Sequence, residues 1–411
     1  MNITRKPPAI ILGSYINALA LIRALGKKGI DIIVVDCMHN IAASSKYVKE
    51  FVLSPDPEND HNGYINVFLE RSNQWKGGII IPTDDFQVSV LSVEYDKLSK
   101  YYEVAAPVKN TAEIIINKIL TYSTASELNI PCPFLFLLNN EAQLTNVANS
   151  IEYPCILKPV ISHEFKKHHN YNIKKIASNH ELYRAFEENG GKYPLMVQEI
   201  IKGPDSNIVL YAAYYDMDGN YLAEFTGQKI RQYPPGFGTA RVAKSIEFHD
   251  ELACYSRKIL KRVAYRGCLV GTEFKYDDKD GKLKLVEINA RSVKWYSLIE
   301  ASGMNLPWIM YKDRIFQEKS YQQDYISDVY WIDEAADIAT TIFNRKKENI
   351  AYRDYLKPYY SKKVLAVFSK NDIKPSISMI NFIANYIKNK VLGVTKKMLW
   401  SNKTDTSRRL R

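Results

Sequence analysis

Five cysteines in 411 residues, at positions 37, 132, 155, 254 and 268, form no C-x-x-C pair and no metal-ligand spacing. Their scarcity excludes a disulfide framework and a cysteine zinc site, and it reads as reduced, mostly buried thiols in a cytoplasmic chain. No run approaches the roughly 18 consecutive apolar residues of a bilayer span. Met1–Pro8 lacks the apolar core of a signal peptide, so neither a spanning helix nor a leader is expected. Glycine is missing where dinucleotide folds use it. The first turn reads Gly13-Ser-Tyr-Ile-Asn17, without the second and third glycines of G-x-G-x-x-G, although Asp36 stands 23 residues on. That absence disfavours an NAD(P)-dependent oxidoreductase, because side chains there keep the backbone from a pyrophosphate. No internal repeat is visible.

What is present points to a folded chain of two or three domains, with 46% apolar and 12% aromatic residues. The net charge of +11 is unevenly placed: residues 361–411 hold 12 Lys/Arg against 2 Asp/Glu, and the rest of the chain 44 against 43. A neutral body with a basic tail argues against a nucleic-acid partner and for a local electrostatic device. In that tail Ile380, Ile383, Ile387, Val391, Val394 and Met398 step by three or four, a narrow helical stripe. Lys388, Lys390, Lys396 and Lys397 lie off it, and Trp400 follows. Such a helix either packs on protein or lies in an anionic membrane surface.

The first 110 residues alternate as α/β: strands at Ala9–Leu12, Asp31–Val35 and Gly78–Ile81, with a helix over Asn17–Lys28. Ligands collect beyond the carboxyl ends of such strands, which marks Asp84 and Asp85 as substrate-contact candidates; capping the next helix is the alternative role. From about Thr111 the pattern becomes α+β. A helix is expected from Ala112 into Glu127, then strands at Cys155–Lys158, Leu195–Glu199, Ile208–Tyr215 and Tyr221–Ile230. Helices are expected at Glu181–Glu188 and Asp250–Val263. The runs Gly271–Tyr276 and Leu285–Arg291 alternate around Asp278-Lys-Asp-Gly-Lys282 as a hairpin, setting Glu273 opposite Glu287 with Asn289 on the same face. Opposed carboxylates destabilise a hairpin unless a cation lies between them, and three hard oxygen donors suit Mg²⁺.

Over roughly residues 5–315 the chain resembles the ATP-grasp superfamily of carboxylate–amine ligases. The resemblance rests on an ordered series: Asn117-Lys118 opening a helix, Tyr153-Pro-Cys-Ile-Leu-Lys-Pro159, Gln198-Glu-Ile-Ile-Lys-Gly-Pro-Asp205, Lys229-Ile-Arg-Gln-Tyr-Pro-Pro-Gly-Phe-Gly238, and the Glu273, Glu287, Asn289 set. It implies an α/β ATP-grasp architecture. A Rossmann-like domain would span 1–110, the two grasp subdomains 111–195 and 196–318, and a helical extension with the basic amphipathic tail 319–411. It implies ATP as a substrate, Mg²⁺ or Mn²⁺ on Glu273, Glu287 and Asn289, and Lys118 and Lys158 on the triphosphate. Gln198, Glu199, Ile200 and Ile201 would meet adenine and Asp205 the ribose. Arg291, with Lys229, Arg231 or Arg241, would stabilise the reacting phosphate and acyl groups. Many family members carry a glycine-rich phosphate loop after the second lysine. Here Val160–Asn170 has no glycine, and Lys166, Lys167, His168 and His169, then Lys174 or Lys175, stand in its place.

The Lys229–Gly238 pattern, with Val367-Phe-Ser369, is similar to a cell-envelope subgroup of which D-aspartate ligase is the best-defined member. The implied reaction joins a carboxylate or amino acid to an amine through an acyl phosphate, the acceptor being a lipid- or nucleotide-linked envelope precursor. A cytoplasmic chain with peripheral membrane contact through 377–411, and a homo-oligomer, are compatible expectations. A non-catalytic ATP-binding scaffold or sensor is the rival reading.

Overall fold

The computed structural model describes residues 6–159, 174–189, 194–236, 238–348 and 350–391. Five short parallel strands open it: β1 (Ala9–Leu12), β2 (Ile32–Asp36), β3 (Val48–Leu53), β4 (Ile79–Ile81) and β5 (Glu103–Val104), in the order β3-β2-β1-β4-β5. Their Ile/Val runs are unbroken in β1, β2 and β4 because both sheet faces are covered. Pairing of β1 with β4 brings the turn after each to the same edge, where Asn17 Nδ2 donates to the Thr83 carbonyl at 3.0 Å. Asp36, the acid a dinucleotide's ribose would need, is buried and accepts from Ser14 Oγ at 2.5 Å. It holds its own first turn.

The second sheet is antiparallel, β6 (Leu135–Leu138), β7 (Cys155–Pro159), β8 (Lys174–Ile176) and β9 (Leu195–Glu199) in the order β6-β9-β7-β8. Helices Glu141–Ser150 and Asn179–Asn189 supply Leu144, Val147 and Leu182 to a small core with Leu138, Leu157 and Val197. The third sheet has seven strands: β10 (Ile208–Tyr215), β11 (Tyr221–Tyr233), β12 (Thr239–Ser245), β13 (Cys268–Tyr276), β14 (Leu283–Asn289), β15 (Tyr330–Ile332) and β16 (Lys363–Leu365). Their order is β14-β13-β10-β11-β12-β15-β16, antiparallel except for the last pair.

Three local differences from the sequence expectations have clear causes. The helix expected from Ala112 into Glu127 is two, Lys109–Ile116 and Lys118–Glu127. Asn117 between them is extended, and its side-chain oxygen accepts from the Ile119 and Leu120 amides, starting a new helix at Lys118. Thr239–Ser245, for which no element was expected, is a strand. The extension after residue 319 is helical over Glu334–Glu348, Tyr352–Tyr360 and Lys374–Val391, and it also adds β15 and β16 to the large sheet.

The extension is fastened to the first domain by a buried pair: Arg23 Nε donates to Asp372 Oδ2 at 2.9 Å, while Ser45 Oγ and the Lys46 amide donate to the same carboxylate. Cys155 and Cys268 are buried, Cys37 and Cys132 half-buried and Cys254 exposed, so fewer thiols are buried than the composition suggested. Among the described residues no helix is long and apolar enough to cross a membrane.

Candidate active site

The β13–β14 hairpin has the register that its alternation predicts. Glu273 lies directly opposite Glu287, and Gly271 opposite Asn289. A bulge just past Glu273 skips Val286, so the two acids pair although the outer half of the hairpin is offset by one. Asn289 Nδ2 donates to Glu287 Oε1 at 3.1 Å, and its oxygen accepts from Arg291 Nη2 at 2.8 Å. Two carboxylates and an amide oxygen on one strand pair are hard donors of the kind Mg²⁺ or Mn²⁺ takes, leaving other positions for water or phosphate oxygens. In kind and in register they fit, although here Arg291 takes the Asn289 oxygen and Lys229 one oxygen of Glu273. Among the described residues no cluster of three or more His, Cys, Asp or Glu offers another metal site.

Four cations surround this pair. Lys229, 3% exposed, donates to Glu273 Oε2 at 2.6 Å. Lys118, at the start of its helix, lies 3.6 Å from Glu287 Oε2. Arg291 binds Asp85 through two hydrogen bonds of 2.7 and 3.1 Å. Lys158, on β7 of the opposite sheet, donates to Gln198 Oε1 on β9. Between the sheets stands Tyr122, which the sequence reading missed: its hydroxyl donates to the Val286 carbonyl at 2.8 Å and lies 3.5 Å from Gln198 Nε2. Burial pushes this phenol up to about 12.

The charges respond to this crowding. Burial opposes ionisation of Glu287, yet Lys118, Lys229, Asn289 and Arg291 together hold its carboxyl down at about 2. Glu273 is displaced the other way: burial and the facing Glu287 outweigh Lys229. Burial also works against the charge of Lys118, but Glu287, Asp85 and Glu273 raise its pKa above the ordinary lysine value. Lys158 has no such counter-charge in contact. Burial, then the nearby Lys118 cation, push its ammonium well below the usual range. A lysine so placed is short of an anion.

The segment after β9 is held from beneath. Lys275 Nζ donates to the carbonyls of Ile201 and Gly203 at 3.0 and 2.7 Å. Glu199 accepts from the Phe134 amide and from Lys284, so its carboxylate is structural, and Ile200 follows directly at the strand end. Asp205 Oδ1 accepts from Gln232 Nε2 at 2.8 Å and from the Gly236 amide at 3.0 Å. Gln232 Oε1 in turn accepts from Lys229 at 3.3 Å. One line of hydrogen bonds therefore runs Asp205–Gln232–Lys229–Glu273. Gln232, buried and uncharged, lies inside the Lys229–Gly238 motif but was not singled out within it.

Not every candidate gathers here. Arg231 and Arg241 both turn to Asp337, a fully buried acid on the helix Glu334–Glu348, with Arg231 contacts of 2.9 and 3.0 Å and an Arg241 contact of 3.2 Å. Two residues apart on a regular strand, Lys229 and Arg231 would share a face. A bulge at Ile230 turns Arg231 away, and a second at Arg241 restores the register. Asp84 caps the helix Asp85–Val93, accepting from Gln87 N, the capping role weighed for it. Lys174 pairs with Glu188 at 3.2 Å. Lys166, Lys167, His168 and His169 lie outside the described residues.

No family model matches the chain. Its fold is the ATP-grasp fold. The biotin carboxylase domain of Hydrogenobacter thermophilus 2-oxoglutarate carboxylase, solved with MgADP and bicarbonate, superposes with a TM-score of 0.59 at 18% identity, covering 79% of this chain and 73% of that one. An L-amino acid ligase from Bacillus licheniformis gives 0.56 at 16% identity, over 76% and 75%. In sequence the chain is similar to D-aspartate ligase from Enterococcus faecium (strain Aus0004), 26% identical over 265 residues. That match spans 62% of each protein's length.

Proposed function

We propose that the protein is an ATP-dependent carboxylate–amine ligase that forms an amide through an acyl phosphate. The observation that carries this reading is the Glu273–Glu287 pair, opposed in register and ringed by Lys118, Lys229 and Arg291, with Lys158 facing from the other sheet. Glu273, Glu287 and Asn289 would hold a divalent cation, which would supply charge neutralisation for the phosphates. Lys118 and Lys158 approach the triphosphate from opposite sides as point charges. The nucleoside end is read by the Gln198–Ile201 backbone and Asp205. The substrate carboxylate attacks the γ-phosphorus and ADP leaves; the amine then attacks the acyl carbon and phosphate leaves. Arg291 sits where it can meet charge on the reacting oxygens, and Asp85 fixes its fork. Positioning and neutralisation are the catalysis.

For substrates, the similarity to D-aspartate ligase supports an amino acid as the carboxylate component; the acceptor in this reading is an amine on an envelope precursor, lipid- or nucleotide-linked. Such an acceptor suits a cytoplasmic enzyme in peripheral contact with the inner membrane face. The test is phosphate release from Mg-ATP across D- and L-amino acids with and without envelope precursors. Release that requires both an amino acid and an amine supports ligation. ATP binding with no acid-dependent turnover would favour the scaffold reading instead.

A further inference from the structure

Over residues 374–385 the helix Lys374–Val391 carries apolar side chains both on the side packed against the body and on the exposed side next to it. Its inner side seats Met379 and Ile383 on the first domain's core beside the turn Ile41–Ser44, where Ser378 Oγ donates to Ser44 Oγ at 3.0 Å. The stripe read from sequence therefore splits: Ile383 faces the body, while Ile380 is 65% exposed. With Ile380 on the outer side stand Ile377 at 50% and Ile373, just before the helix, at 51%; Phe368 nearby is 43% exposed. Spacings of four and three place the three isoleucines along one ridge. Isolated exposed isoleucines are ordinary, but an aligned set is not.

Along residues 361–391 the exposed charge is of one sign. Lys362, Lys363, Lys370 and Lys374 are exposed along this segment. The one acid between residues 361 and 391 is Asp372, which is buried and committed to Arg23, Ser45 and the Lys46 amide. An exposed apolar ridge with exposed lysines along the same segment, the partly buried Glu334 being engaged by the Val367 and Phe368 amides, matches the two components of an anionic bilayer surface: acyl chains below and negative headgroups around. An acidic protein partner would meet the lysines but leave the isoleucines uncovered unless it brought a groove.

We propose that the Ile373–Ile377–Ile380 ridge, with Phe368 and its flanking lysines, docks the protein on an anionic phospholipid surface. The docking takes only its purpose, access to a membrane-held acceptor, from the ligase reading. The test is co-sedimentation of the full-length protein, without ATP, with phosphatidylglycerol or phosphatidylcholine vesicles at low and high salt. Binding is expected to phosphatidylglycerol only and to weaken with salt. It should fall at least about tenfold in Ile373→Ser/Ile377→Ser/Ile380→Ser, whose changes are all at exposed positions, and in Lys370→Glu/Lys374→Glu.

Three results would overturn the proposal: no binding to phosphatidylglycerol at low salt, undiminished binding by the triple isoleucine variant, or a dimer in solution that the triple variant dissociates. Phosphate release measured without vesicles reports on the ligase reading alone, so either idea can fail while the other stands.

Discussion

Asp85 and Arg291 are 206 residues apart and meet through two hydrogen bonds of 2.7 and 3.1 Å, tying the first domain's ligand edge to the end of the carboxylate hairpin. Arg291 is buried, and its remaining contacts are the Asn289 oxygen and the Ser292 carbonyl. Asp85→Ala leaves that guanidinium without its carboxylate. The expected cost is about 1–3 kcal/mol of stability, seen as a lower urea midpoint. Amino-acid-dependent phosphate release should fall by about tenfold or more, because Arg291 loses its fixed orientation. Unchanged turnover in Asp85→Ala would remove Arg291 from the reacting centre.

Glu287→Ala should abolish ATP-dependent phosphate release, since the hairpin then keeps a single carboxylate for a divalent cation. Mn²⁺ binding, followed by electron paramagnetic resonance in the presence of ADP, should weaken in parallel. Tight Mn²⁺ binding by this variant would show that the cation sits elsewhere.

Asp205→Ala tests the nucleoside end. As a ribose contact alone, Asp205 would contribute uniformly to ground and transition states, so its loss would raise KM for ATP and spare kcat. Because Asp205 also holds Gln232 and the Gly236 amide, a modest fall in kcat, smaller than the KM effect, is expected too. Gln232→Leu, which keeps Asp205 but breaks the line to Lys229, should lower kcat with little change in KM. Equal KM effects from both variants would count against a direct ribose contact.

Lys158 sets a pH dependence. Its pKa in the folded chain is pushed below 10.5. Between that lowered value and 10.5 the unfolded chain binds the extra proton, so stability rises with pH across this window. Nucleotide phosphates reverse the shift, so binding takes up a proton and ATP affinity declines as pH rises. Calorimetry in buffers of different ionisation enthalpy should detect that uptake, and Lys158→Arg, charged throughout, should lose it. Uptake that persists in the arginine variant would assign the proton to another group.

How far the sequence reached depended on distance along the chain. The Glu273–Glu287 hairpin was legible because alternation and a short turn mark it locally, although the bulge at Val286 that completes the pairing was not. The grasp fold followed from the order of its segments. Partners more than a hundred residues away were not legible: Asp337 for Arg231, 106 residues on, and Asp372 for Arg23, 349 residues on, carry no local signal. Bulges defeat counting altogether. One extra residue at Ile230 separates two cations that a regular strand would have kept together. The break at Asn117 was half visible, since Asn117-Lys118 reads as a helix start while the apolar spacing runs through it.

Arg231 and Arg241 share the Asp337 carboxylate, supplied from beyond residue 333, and β15 pairs with the outer edge of β12. The extension is thus part of the large sheet. Truncation near residue 318 would strand two interior guanidinium groups and bare a row of unsatisfied peptide groups, inviting strand-to-strand association. Recombination faces the same constraint: the body formed by the large sheet can be exchanged between proteins only with its carboxy-terminal partner attached.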